Sequence, residues 1–126
     1  MLNQPKVLVV DEDKNILSAF EDFLRKEHCN LIAASCIEEA IIRLEQYQID
    51  LLIMNVNLEK KHNVTQLKFA KELQQNFPVI IITGYTDIIE EKKARDYGFD
   101  YFLPKPLDLK KLRTAVRKCL QLDKVF

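Results

Sequence analysis

Four short stretches of this 126-residue chain run from apolar residues into polar ones at the point where the apolar run stops. "VLVVDED" leads to Asp11, Glu12 and Asp13, "DLLIMN" to the amide of Asn55, and "VIIITGY" to the hydroxyl of Thr83. "FLPKP" sets the ammonium of Lys105 between two prolines, which fix the backbone around it. Asp13 has a structural task open to it, capping the helix that starts beside it. Asp11 and Glu12 are harder to assign to structure, because adjacent carboxylates repel each other unless a cation lies near. Each residue alone is more often structural than functional. Brought to one edge of a sheet, two acids, an amide, a hydroxyl and an ammonium make a site.

The elements that must position these groups are legible. Apolar runs at 7–10, 31–34, 51–54 and 79–82, with a shorter one at 101–103, contain no glycine or proline. Such runs predict strands buried on both faces of a parallel sheet. Ile16, Leu17, Phe20, Phe23 and Leu24 form one apolar stripe of a first helix behind Asp13. "SCIEEAIIRL" places Ser35 three residues before Glu38, a capping-box pattern, and Asp87 with Glu90 repeats it in "DIIEEKKA". Val64, Leu67, Ala70 and Leu73 share a face that ends before Pro78. In the last helix, Leu109, Leu112, Val116, Cys119 and Leu120 recur at helical spacing behind Asp108. Strand and helix thus alternate five times. Right-handed crossovers then give a parallel sheet with helices on both sides and all five strand C-termini at one edge, where open α/β sheets place their ligands. No linker or repeat interrupts the pattern, so residues 1–126 are expected to form a single domain.

Composition narrows the function. Hydrophobic residues make up 48% and charged residues 30%, as in ordinary globular proteins. The 19 basic and 19 acidic side chains cancel, which gives no electrostatic signature for direct binding to nucleic acid or an anionic membrane. No stretch reaches the length of a membrane span, and the polar start "MLNQPK" is no signal peptide. Cys29, Cys36 and Cys119 lack metal-ligand spacing and are expected to be reduced packing residues of a cytoplasmic protein. His28 and His62 are far apart in sequence and expected at the surface. With only Gly84 and Gly98, the chain lacks the glycine-rich loops of the common nucleotide-binding enzymes and the glycine-flanked serine of many hydrolases.

The stretches "VLVVDED", "DLLIMN", "IIITGYTD" and "DYFLPKP", in this order and at these separations, resemble the response-regulator receiver domain of two-component phosphorelay signalling over essentially the whole chain. The resemblance implies a flavodoxin-like fold, a doubly wound three-layer α/β sandwich with a five-stranded parallel sheet and five helices. It implies a signalling module rather than an enzyme. An acid pair, here Asp11 and Glu12, would bind Mg2+ with the backbone carbonyl of Asn57. Thr83 and Lys105 would contact the phosphoryl group, and the fifth-strand aromatic Phe102 would report the change. A sensor kinase, phosphotransfer protein or output protein is the expected partner, meeting the face made by helix 4, strand 5 and helix 5.

Asn55 stands where that family has its phospho-accepting aspartate. An amide nitrogen shares its lone pair with the carbonyl, so Asn55 is neither anionic nor a useful nucleophile at phosphorus. Asp50 is no substitute, since five residues of extended strand put it about 16 Å from the site. The following loop, "NLEKKHN", also departs from the family, with Glu59 at a usual proline and Asn63 at a usual glycine. The expected function is a degenerate receiver acting as a protein-interaction module, with Mg2+ bound weakly if at all. An alternative is an ordinary phospho-accepting regulator carrying an aspartate-to-asparagine change. A small flavodoxin-like enzyme or cofactor binder fits the glycine-poor sequence less well.

Overall fold

A computed structural model of the chain describes residues 4–56, 63–84, 92, 95–99 and 101–122. Its elements run β1 (Lys6–Val10), α1 (Lys14–Lys26), β2 (Asn30–Ala34), α2 (Ile37–Gln46), β3 (Leu51–Asn55), α3 (Asn63–Leu73), β4 (Val79–Thr83), β5 (Tyr101–Pro104) and α4 (Leu109–Leu120). All five strands pair in parallel in the order β2-β1-β3-β4-β5. Each strand begins and ends within one residue of the apolar run that predicted it. The helix expected before β5, with its Asp87–Glu90 cap, falls mostly outside the described residues, although Lys92, Arg95 and Asp96 are helical. Four whole helices are therefore seen among the described residues, and the last of the five expected is α4.

Alternation along the strands divides the core into two layers. Leu8, Val10, Leu52, Met54, Val79 and Ile81 face one side and pack with Ala40 of α2 and Leu67 and Ala70 of α3. Val7, Val9, Leu51, Ile53, Ile80 and Ile82 face the other and pack with Phe20 and Leu24 of α1 and Leu112, Ala115 and Val116 of α4. This is the doubly wound sandwich. β2, at the sheet's edge, is more exposed than a doubly covered strand.

Caps set where the helices begin. Asp13 accepts the Asn15 amide at the start of α1, and Asp108 accepts those of Lys110 and Lys111 at the start of α4, both as expected. The start of α2 differs by one residue. Its N-cap is Cys36, and the Ser35 hydroxyl bonds the Glu39 carboxylate rather than forming a box with Glu38. Ser-Cys offers two adjacent cap positions, and with the helix starting one residue later the Cys36 side chain makes no capping hydrogen bond. Cys36 is accordingly exposed, not a packing residue; Cys29 is buried and Cys119 half-buried. Leu109 also departs from its stripe at 58% exposure, because it occupies the first position of α4, ahead of the buried Leu112. His28 is exposed, as expected, in a left-handed conformation just past α1.

Candidate functional site

The strand order reverses direction at β1, whose neighbours β2 and β3 lead to opposite ends of the sheet. The register aligns Val10 with Met54, so Asp11 and Asn55 leave adjacent strands side by side at this switch point. One strand further, Asn55 pairs with Ile82, and the Val56 amide donates to the Ile82 carbonyl at 2.8 Å. That places Thr83 just past the amide. The Lys105 amide donates to the Thr83 carbonyl at 2.7 Å, tying the residue after β5 to the end of β4. The stem of Lys105 then passes beside Gly84, where a Cβ would lie 3.6 Å from Lys105 Cδ.

Two cavities bring Asp11 and Asn55 together, one with Glu12 and the other with Lys105, while the buried Thr83 lines neither. Asp11, Glu12 and Asn55 line a cleft of about 430 Å³. Asp11, Asn55 and Lys105 line a second, of about 170 Å³. The sequence reading missed the far wall of the larger cleft, which Ser35, Cys36 and Glu38 supply from the β2–α2 connection and Thr65 and Gln66 from α3. A polar residue just past the second strand, as Ser35 is, was the one available signal. Asn57 lies outside the described residues, as do Glu59, Lys60, Lys61 and His62.

Burial grades the site groups. Thr83 is fully buried, Asp11 nearly so at 5% exposure, Asn55 and Lys105 are half-buried and Glu12 is exposed. Burial raises the Asp11 carboxyl above its ordinary value of 3.8, opposed by the Asp13 amide, which donates to Oδ1 at 2.9 Å, and by the charge of Lys105. Asp13 and Glu12 push it up further. Among the described residues no group of three or more His, Cys, Asp or Glu is placed to hold a metal ion. What remains is a pair of carboxylates, oxygen donors of the kind that magnesium accepts together with water. Asp50 lies at the opposite edge, where its Oδ2 accepts the Lys6 amide at 2.8 Å.

A family model for the response regulator receiver domain matches residues 7–117. The chain belongs to that family. The receiver domain is 32% identical over 116 residues to the transcriptional regulatory protein CpxR of Escherichia coli, covering 92% of this chain and 49% of that protein. It is 30% identical to the heme response regulator HssR of Staphylococcus saprophyticus, covering 90% and 50%. The chain thus spans about half the length of the curated relatives it matches. A crystal structure of a response regulator from Thermotoga maritima superposes with a TM-score of 0.77 at 26% identity, covering 94% of this chain and 98% of that one. Receiver domains are signalling modules of two-component systems, not enzymes, and they work through kinases and output domains. No helix among the described residues is long and apolar enough to cross a membrane.

Proposed function

We propose that this receiver domain is a protein-interaction module, working in the cytoplasm, that does not form the family's aspartyl phosphate. The observation that carries the reading is Asn55, half-buried at the end of β3 beside Asp11. The amide occupies the acceptor position and supplies no nucleophilic carboxylate. Asp11 is the nearest acid along the strand ends, and one of its oxygens is already engaged by the Asp13 amide. Asp11, Glu12 and the Asn57 carbonyl would hold Mg2+, whose contribution when bound is to neutralise charge on phosphoryl oxygens. Thr83, Lys105 and Phe102 are assigned the phosphoryl-contacting and reporting positions.

The partner surface is assigned to β5, α4 and the helix preceding β5. An open groove of about 330 Å³ on this face is lined by Tyr101, Leu103, Lys110 and Lys111, together with Thr114 and Ala115. It suits a protein partner. A second reading, an ordinary phospho-accepting receiver altered at position 55, is favoured by the retention of Asp11, Glu12, Thr83 and Lys105 together. One experiment separates the readings. Incubated with acetyl phosphate and magnesium, the protein is expected to gain no phosphoryl mass, whereas Asn55→Asp gains one. A phosphoryl group mapped to any residue of the native site would overturn the first reading.

A further inference from the structure

Apolar side chains left in water collect on one helix. Of the four large apolar residues exposed among the described residues, Ile41, Ile42 and Tyr47 lie on α2 or at its C-cap, and the fourth is Leu109. Helix α2 meets the core through Ile37, Ala40 and Leu44, and neither Ile41 nor Ile42 joins that layer. Glu38, Ile41, Ile42 and Glu45 are all exposed and follow one another at i, i+3, i+4 and i+7. That spacing puts them on one face of the helix, two isoleucines between two acids. Arg43, the one base of α2, is turned aside, donating to the Ala33 carbonyl at 3.0 Å and to Gln46 Oε1 at 3.2 Å. The outward stripe is apolar and negative.

The open groove on β5 and α4 has the opposite charge. Tyr101, Leu103 and Ala115 give it apolar surface, and the exposed Lys110 and Lys111 stand on its α4 side. Five bases and no acid occur along α4, and while Arg113 and Arg117 hold Glu27, Lys110 and Lys111 set the charge of the groove. Apolar grooves accept amphipathic helices whose anchors recur at i, i+3, i+4 and i+7. Within one molecule the two surfaces cannot meet. Helix α2 and α4 pack on opposite faces of the sheet, and β2 and β5 are its opposite edges.

Between copies, charge selects the arrangement. Two grooves face to face would set lysines against lysines, and two α2 stripes would set glutamates against glutamates. Unlike charges meet when the stripe of one copy faces the groove of another, a heterologous contact. The 19 bases and 19 acids of the chain leave no net charge to hold copies apart.

We propose that the α2 stripe of one copy docks in the β5–α4 groove of a second copy, so that the chain associates head to tail. Ile41 and Ile42 enter the groove against Tyr101 and Leu103, while Glu38 and Glu45 meet Lys110 and Lys111. The proposal rests on the functional reading in taking the groove as a partner surface, and it names a second copy of this chain as the partner.

Sedimentation velocity of the whole chain, without magnesium or phosphodonor, tests it. The sedimentation coefficient is expected to rise with concentration between about 10 μM and about 1 mM, and the rise should shrink in about 0.5 M sodium chloride. Two variants with charges reversed at exposed positions, Glu38→Lys with Glu45→Lys and Lys110→Glu with Lys111→Glu, should each associate at least about tenfold more weakly than the native chain. Mixed in equal amounts they should associate again, because the basic stripe of one then fits the acidic groove of the other. Circular dichroism confirms that both variants are folded, and Ile42→Ser supplies a variant without charge change that should also weaken association. A native chain that stays monomeric across the range overturns the proposal. So does a folded charge-reversed variant that associates alone as the native chain does, or a mixture that stays monomeric. Failure here leaves the phosphorylation result untouched, and a phosphorylated native site would overturn the functional reading without altering sedimentation in the absence of a phosphodonor.

Discussion

Arg117 Nε donates a 2.9 Å hydrogen bond to Glu27 Oε1, joining residues 90 positions apart in sequence. The Glu27 side chain is only 6% exposed, and Arg113 Nε lies 3.5 Å from its other oxygen. The acid at the C-cap of α1 is thereby held by two bases on α4, in the layer that walls the smaller cavity. A buried carboxylate left with a poorer partner is costly, although the half-exposed arginines let water soften the loss. Arg117→Met is expected to lower unfolding free energy by about 2 kcal/mol, and Arg113→Met by less. Urea denaturation of the two variants checks the order. Equal losses would mean that the closer geometry of Arg117 carries no extra stability.

Asp11 gives a pH prediction with a definite sign. Burial raises its folded-state value above 3.8, so between 3.8 and the folded value the native state holds the proton more readily than the unfolded chain. The contribution of this group to stability therefore falls as pH rises through that window, and the penalty persists at neutral pH. Asp11→Asn removes the charge while leaving an oxygen to accept the Asp13 amide. In the presence of a chelator, the variant is expected to melt higher than the native chain at pH 7. The difference should shrink toward zero as pH drops below 3.8. Melting curves across that range test it, and a gap independent of pH would rule out ionisation as the cause.

Magnesium affinity should report the missing carboxylate directly. Asp11 and Glu12 are two acids where an aspartate at position 55 would make three, and Lys105 opposes a cation electrostatically. Asn55→Asp is expected to bind magnesium about tenfold more tightly than the native chain, a difference of about 1.4 kcal/mol. Calorimetric titration of both proteins provides the comparison. Equal affinities would place the residue-55 side chain outside the metal's coordination shell.

Most of the fold was legible because its determinants are local. The strands announced themselves as unbroken apolar runs, and Asp13 and Asp108 as caps, since both signals depend on neighbours a few residues away. Asp11, Asn55, Thr83 and Lys105 were legible as a set because every strand of a parallel sheet delivers its C-terminal residue to the same edge. The Glu27 cluster was not legible. Nothing near Glu27 distinguishes it from a solvated helix-end acid, and only the packing of α4 against α1 brings Arg113 and Arg117 to it. The far wall of the large cleft was missed for a related reason, since Thr65 and Gln66 reach it from a helix whose face was judged by its apolar residues alone.

The last prediction concerns output. Phe102 is half-buried and packs against the layer shared with α2 and α3, while the preceding Tyr101 packs against the α1–α4 layer, as alternation along β5 requires. A phenyl ring has no hydroxyl to hydrate, so burial against that layer meets no polar cost. Phe99 is buried and stacks with Tyr97, their ring centroids 6.3 Å apart, which leaves Tyr101 as the aromatic lining the groove with Lys110 and Lys111. On the proposed function, a phosphoryl mimic finds no carboxylate at position 55 on which to form, and Thr83 and Phe102 are expected to keep one arrangement. A partner selected by affinity to the native chain should therefore bind equally with and without beryllofluoride, and Tyr101→Ala should weaken binding about tenfold if the groove is the contact. In Asn55→Asp, beryllofluoride should shift the affinity. A tenfold response in the native chain, about 1.4 kcal/mol, would show that the switch still operates without the aspartate.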